Sequence, residues 1–430
     1  MMPMMNRRHA LCCGAALATG LFTGLSPAMG PRGASMADAL RNPCLGALPP
    51  ELARHDLVRA AFEGIEPGRL VDTHAHLLGT GDSGSGCTVH PAMQRWWHPV
   101  EQLRKAAILN AACVPAGAAS VDRAYVERLR ALAADFPKDA RWWLFAFEQA
   151  HDDQGRARPD WSTFHVPNAY AAQVAAAHPE RFDWVASVHP YREDALTALG
   201  AALAQGAVAV KWLPSAMNID PRDARCRPFY ERLARQAVPL IVHCGEEKAV
   251  PGAAREALGN PLLVRHALAA GVRVVVAHCA SLGLALDTDR RSQPAGPAFD
   301  LFARLLDEAP WQGRLLGDVS AVFQRNRSPA VGRTVLARAD WHDRLLHGSD
   351  YPLPGVMPLF SPQRLQQAGL LAEGDVETLN QVRAHNPLLF DFMLKRRLRW
   401  QGQGLPASVF EARALRATPA KVATVQGRPA

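Results

Sequence analysis

The feature that most limits what this chain can fold into is a repeated unit. A short apolar, strand-like run followed by an amphipathic helical stretch occurs eight times between Leu70 and Leu398. The strand candidates are Leu70–His76, Ala106–Cys113, Trp184–His189, Val208–Leu213, Leu240–His243, Val272–His278, Leu315–Val319 and Arg344–Asp350. Between them lie helical stretches such as Val121–Ala134, Ala195–Gln205, Pro228–Gln236, Leu262–Ala270, Phe299–Asp307 and Ser328–Ala339. Successive βα units imply parallel strands with right-handed crossovers, and eight of them close naturally as a (β/α)8 TIM barrel. With 430 residues, 48% hydrophobic, the chain can fill such a core. Trp142–Glu148 also reads as a strand but has no place in the count of eight. It is assigned, with His151–Val166, to an insertion over the barrel mouth. A Gly/Ser-rich loop, Gly79–His98, follows the first strand.

The chemistry lies in how the runs end. The first closes on His74-Ala75-His76, and a strand has period two, so both imidazoles face one side. In a chain with 16 histidines that pair alone means little. But the fourth run ends at Lys211, the fifth at His243, the sixth at His278 and the eighth at Asp350. The C-terminal ends of barrel strands converge on a single mouth, where catalytic residues gather. Lysine is scarce here, and burying one uncompensated is costly. Lys211 points inward by parity with Ala207 and Ala209. His347 has the opposite parity to Asp350 and is expected behind the barrel, while His189, before Pro190, reads as a strand cap. Arg325 and Arg327, after the seventh run, are candidates to clamp a substrate carboxylate. Trp97, with Trp96 and His98, is a candidate wall of an apolar pocket. His151-Asp152-Asp153 reads as a solvated turn.

Residues 1–30 resemble a signal peptide: Arg7-Arg8, an apolar run from Ala10 to Leu25, and small residues at Ser26-Pro27-Ala28. The paired arginines resemble a twin-arginine export signal, so a periplasmic protein beginning near Met29 is expected. The run is too short for a stable membrane anchor. Residues 31–69 form a lead-in with one helix over Pro50–Ile65, 70–398 the barrel, and 399–430 a partly disordered tail with a docked helix near Ala407–Leu415. The net charge of +8 is scattered and mixed with acids, which argues against nucleic acid or a membrane surface as a partner. A small-molecule substrate is expected and a homo-oligomer is left open. Among eight cysteines no C-x-x-C occurs, which excludes a zinc finger; Cys44 or Cys87 could join a disulfide.

The segments VDTHAH, VAVKWLP, PLIVHCGE, VVVAHCASLG and LLHGSDYP, with His385-Asn386-Pro387, resemble the amidohydrolase superfamily. The likeness is to its amidohydrolase-related metal-dependent group, which also contains aminocarboxymuconate-semialdehyde-decarboxylase-like enzymes and lactonases. The resemblance implies a divalent metal, zinc above all, as one or two ions. Its implied ligands are His74, His76, His243, His278 and Asp350, with a carbamate on Lys211 in a two-metal version. It implies that Asp350 takes the proton of an attacking water and that His278 serves as ligand or acid/base group. The expected reaction is hydrolysis of a C–N or C–O bond of a carbonyl substrate, amide or lactone. The alternative is non-oxidative decarboxylation of an aromatic or enoic acid.

Overall fold

The computed structural model describes residues 40–250 and 252–416. The signal segment, residues 31–39 of the lead-in and residues 417–430 of the tail lie outside them. Eight parallel strands form one sheet in the order β1 Val71–His76, β2 Arg141–Phe145, β3 Phe182–Ala186, β4 Ala209–Trp212, β5 Leu240–His243, β6 Val274–Ala277, β7 Leu315–Asp318 and β8 Leu345–Leu346. β8 returns to β1 through Thr73 N–H to His347 O (3.0 Å), Asp350 N–H to His74 O (2.7 Å) and His76 N–H to Tyr351 O (2.9 Å). The sheet is a TIM barrel. Two strand assignments are corrected. Ala106–Cys113 is not a strand but the end of helix α1 (Pro99–Ala111). Pro99 starts that helix with its fixed φ, and the alanines favour it. Trp142–Phe145 is not an insertion but part of β2, its bulky aromatics pairing with both β1 and β3.

Crossover helices α2 (Val121–Ala133), α3 (Asn168–Ala177), α4 (Ala195–Ala204), α5 (Cys226–Arg235), α6 (Arg265–Ala269), α7 (Ala298–Asp307) and α8 (Pro329–Ala337) follow β1 to β7 in turn. α9 (Val376–His385) and α10 (Pro387–Arg397) complete the ring. Their apolar faces form one outer core against the sheet. A separate inner layer fills the barrel: Val71, Phe145, Val185, Ala209, Ile241, Val275, Leu316 and Leu346, one from each strand. Ala412 and Leu415 of the tail pack against this layer. The lead-in carries two short helices, Pro50–Ala53 and Asp56–Ala61, where one was expected.

Long loops stand at the strand ends. Thr88–Val89, from the loop after β1, pairs antiparallel with Phe164–His165, from the loop after β2. A disulfide joins Cys44 to Cys113, tying the lead-in to the end of α1, while Cys87, Cys226, Cys244 and Cys279 are buried free thiols. Among the described residues no helix is long and apolar enough to cross a membrane.

Candidate active site

The inner layer dictates which side chains reach the mouth. Two residues beyond Ala209, Ile241 and Leu316, one pleat higher on the same face, stand Lys211, His243 and Asp318. On β1 the register shifts between Asp72 and Ala75, so Val71 faces inward and so do His74 and His76 three and five positions later. His278 and Asp350 lie just past their strands in left-handed backbone, φ 55° and 58°, which turns each side chain over the opening. For residues other than glycine such geometry is strained and persists only where the surroundings enforce it. Gly348 is required by close approach: a Cβ there would fall 2.4 Å from that of His74.

Two histidines share one hydrogen-bonding logic, and a third stands beside a carboxylate. His74 Nδ1–H donates to Asp318 Oδ2 (2.9 Å) and His278 Nδ1–H to Ser320 Oγ (2.6 Å). His243 Nδ1 lies 3.3 Å from Glu247 Oε2. Ser320 passes its own hydroxyl proton to Asp318, so its oxygen can only accept from His278. A carboxylate also accepts only, which places the proton on Nδ1 of His74 and His278 and leaves each Nε2 with a free lone pair. The Nε2 atoms of His74 and His243 are buried without a hydrogen-bond partner. His74 is one of three rings around Asp350, whose Oδ1 is 3.1 Å from His76 Nε2 and 3.5 Å from His74 Nε2 and whose Oδ2 is 3.9 Å from His278 Nε2; the His243 ring lies against that of His278, centroids 5.2 Å apart.

The electrostatics match that arrangement. Burial, then the Lys211 charge, pushes the His74 imidazole down to about 4, so it is neutral at pH 7. Burial likewise lowers His243 and His278. For Asp350 burial acts upward, but His278, His76 and His74 outweigh it and hold the carboxyl well below its usual range. Asp318 is held low against burial by His74, His278 and Lys211. Behind them, Asp72 Oδ1 accepts from His74 N–H (3.1 Å) and Ser349 N–H (2.9 Å), which clamps β1 to the turn carrying Asp350. Lys395 Nζ donates to Gly348 O (2.6 Å) and Asp391 Oδ2 (2.5 Å) beneath the same turn. Lys211 is the opposite case: it is 1% exposed and its Nζ has no hydrogen-bond partner.

The structure therefore brings together His74, His76, Lys211, His243, His278 and Asp350. It adds Asp318, Ser320 and Glu247, which the sequence reading missed. Asp318 was legible, because it stands two residues after the inward Leu316. Glu247 was not, because its side chain reaches His243 only through the local turn. Arg327 is buried, and Arg325, two residues nearer β7 in the same loop, is half-buried. Trp97 is not brought to the cluster; it is 55% exposed and stacks against Trp96, His98 and Arg95. His347 packs on Phe392 and Phe410, and His189 spends both nitrogens on backbone.

A family model described as amidohydrolase matches residues 71–388. The chain belongs to the amidohydrolase family. A comparison with curated protein sequences finds no match. Among solved structures, this amidohydrolase is similar to an uncharacterised TIM-barrel protein from Bordetella bronchiseptica (16% identity, 73% of this chain and 98% of that one, TM-score 0.42). It is similar also to a 2-pyrone-4,6-dicarboxylic acid hydrolase, so described, from Pseudomonas putida (18%, 81% and 97%, 0.40). A third is a 5-carboxyvanillate decarboxylase from Novosphingobium aromaticivorans with bound manganese (12%, 75% and 93%, 0.40). Members of the superfamily bind divalent metal ions, and two groups in this amidohydrolase could hold one: His74, His76 and Asp350, and His74, His278 and Asp318.

Proposed function

We propose that this amidohydrolase is a metal-dependent hydrolase cleaving a C–N or C–O bond of a carbonyl substrate, of the amide or lactone type. The observation that carries the reading is the set of imidazoles anchored through Nδ1, with open Nε2 atoms gathered around one ionised carboxylate. Buried polar atoms without partners are costly, and a cation relieves that cost. His74, His76, His243 and Asp350 would hold the ion, with His278 beside them and Lys211 below. Imidazole and carboxylate donors suit zinc. When bound, such an ion supplies Lewis acidity that polarises a carbonyl and lowers the pKa of water. Asp350 is the base: ionised at neutral pH, it accepts at Oδ2 the proton of the attacking water and returns it to the leaving group. His278 Nε2, facing the same oxygen, is placed to share that proton. Asp318 and Ser320 keep His74 and His278 in one tautomer.

Asp318→Asn tests the supporting role. It keeps size and removes charge, so metal affinity is expected to fall by about 10–100-fold, the usual cost of losing a carboxylate behind a histidine ligand. The measurement is competition with a chelator, alongside circular dichroism; unchanged affinity would contradict the role. The reaction itself is tested with a panel of lactones, amides and aromatic acids and identification of the products. Ring-opened acids or amines support hydrolysis. Release of CO2 with no hydrolytic product would instead establish decarboxylation, the second reading, which the His278–Asp350 proton pair also serves.

A further inference from the structure

The turn that carries Asp350 is pinned to β1 on one side and to an outer helix on the other. From β1, Thr73 N–H and Thr73 Oγ1–H both donate to His347 O (3.0 and 2.8 Å), Asp72 Oδ1 accepts from Ser349 N–H (2.9 Å), and His74 O accepts from Asp350 N–H (2.7 Å). Between these lies Gly348 O, and its donor comes from outside the barrel: Lys395 Nζ on α10, at 2.6 Å. One helical turn earlier, Asp391 Oδ2 accepts from the same ammonium (2.5 Å). Both side chains are fully buried, in a helix whose neighbouring residues Leu388, Leu389, Phe390, Phe392, Met393 and Leu394 are buried and apolar. A buried ion pair is a poor source of stability, because apolar residues of similar volume usually serve as well or better. This pair does what such residues could not: it delivers a charged donor to one backbone carbonyl. That carbonyl lies two residues before Asp350, whose left-handed backbone (φ 58°) persists only while its surroundings enforce it. Gly348 also packs directly against the His74 side chain, so a shift of its peptide would be felt by both residues.

We infer that Lys395, oriented by Asp391, is a positioning residue for Asp350. By holding the Gly348 carbonyl from outside the barrel, it sets the turn that aims the Asp350 carboxylate at the Nε2 atoms of His74, His76 and His278. This rests on the proposed reading of the site, in which Asp350 is ligand and base. A compact ammonium on a flexible stem suits the task, because it can reach a single carbonyl oxygen through a packed apolar layer. Asp391 balances the charge and fixes the direction of the stem.

The test is the double substitution Asp391→Leu with Lys395→Met, since Lys395→Met alone would strand a buried carboxyl. Tm of the metal-free protein is expected to change little, the removal of a buried ion pair offsetting one carbonyl left without a donor. The turn should loosen all the same. Hydrogen exchange of the metal-free protein, read by mass spectrometry, is expected to show lost protection in the peptide 345–353, while peptides from β3 to β5 keep theirs. Zinc, the probe for the site, should bind the variant about 10–100-fold more weakly in competition with a chelator, the usual cost of a lost supporting contact behind a ligand. A merely structural pair would give a different pattern, a fall in Tm with protection lost throughout the barrel, and that result would overturn the inference. So would wild-type protection at 345–353, or wild-type zinc affinity in a variant whose turn has loosened. If wild-type enzyme bound no zinc, the reading of the site would fail, and the exchange comparison alone would still decide whether Lys395 holds the turn.

Discussion

Asp350→Asn is expected to lower kcat by about a thousandfold or more, the combined loss of a proton acceptor and an anionic ligand. Asparagine is the informative replacement because Asp350 sits at φ 58°. Asparagine tolerates left-handed backbone better than most residues, so the turn should survive where alanine would add strain. The carboxylate is ionised because His278, His76 and His74 surround it. Removing the charge also removes an anionic ligand, and bound metal should fall with activity. Circular dichroism and Tm should stay near wild type, since the inner layer of Val71, Phe145, Ile241 and Leu316 lies one pleat below and is untouched. Retention of normal turnover would exclude Asp350 as the base. Collapse of the fold would mean that the turn, not the chemistry, depends on the charge.

Lys211→Ala should have the second large effect. Among the described residues two lysines are buried: Lys395 is paired with Asp391 and Gly348, and Lys211 has no hydrogen-bond partner. Its Nζ stands 5.1 Å from the Phe145 ring centroid, and burial, opposed by Asp318 and Asp350, lowers its pKa. If that neutral amine took up CO2, with loss of one proton, the carbamate formed would offer anionic oxygen ligands for a second divalent ion. On this reading wild-type protein carries about two ions per chain. Lys211→Ala then keeps one or none, loses activity with it, and regains part of both in a short carboxylic acid. One ion per chain in active wild-type protein, unchanged in Lys211→Ala, would exclude the bridged site.

Much of this was legible because barrel strands obey a two-residue period and end at one face. Lys211 and His243 could be placed from that alone, whereas Asp350 lies past β8 and is aimed by its left-handed backbone. The errors have physical causes. Ala106–Cys113 is a short apolar run, which periodicity cannot divide between helix and strand, and Pro99 decided it for helix. Counting it displaced the true second strand, Arg141–Phe145, into a supposed insertion. The β1 register shift shows why pleat parity fails locally: it would put Thr73, not His74, on the face of Val71. Glu247 and Ser320 are invisible as motifs because each acts through a histidine held by another strand. Trp97 looked like a pocket wall by type, but the loop bearing it projects into solvent.

The central claim is that the open Nε2 atoms around Asp350 exist to bind a metal ion. Anomalous diffraction at the zinc edge, from crystals of active enzyme purified without added metal, tests it most directly. A peak is expected about 2.0–2.2 Å from the Nε2 atoms of His74, His76 and His243. Active enzyme with no anomalous peak at any first-row metal edge among these side chains would contradict it.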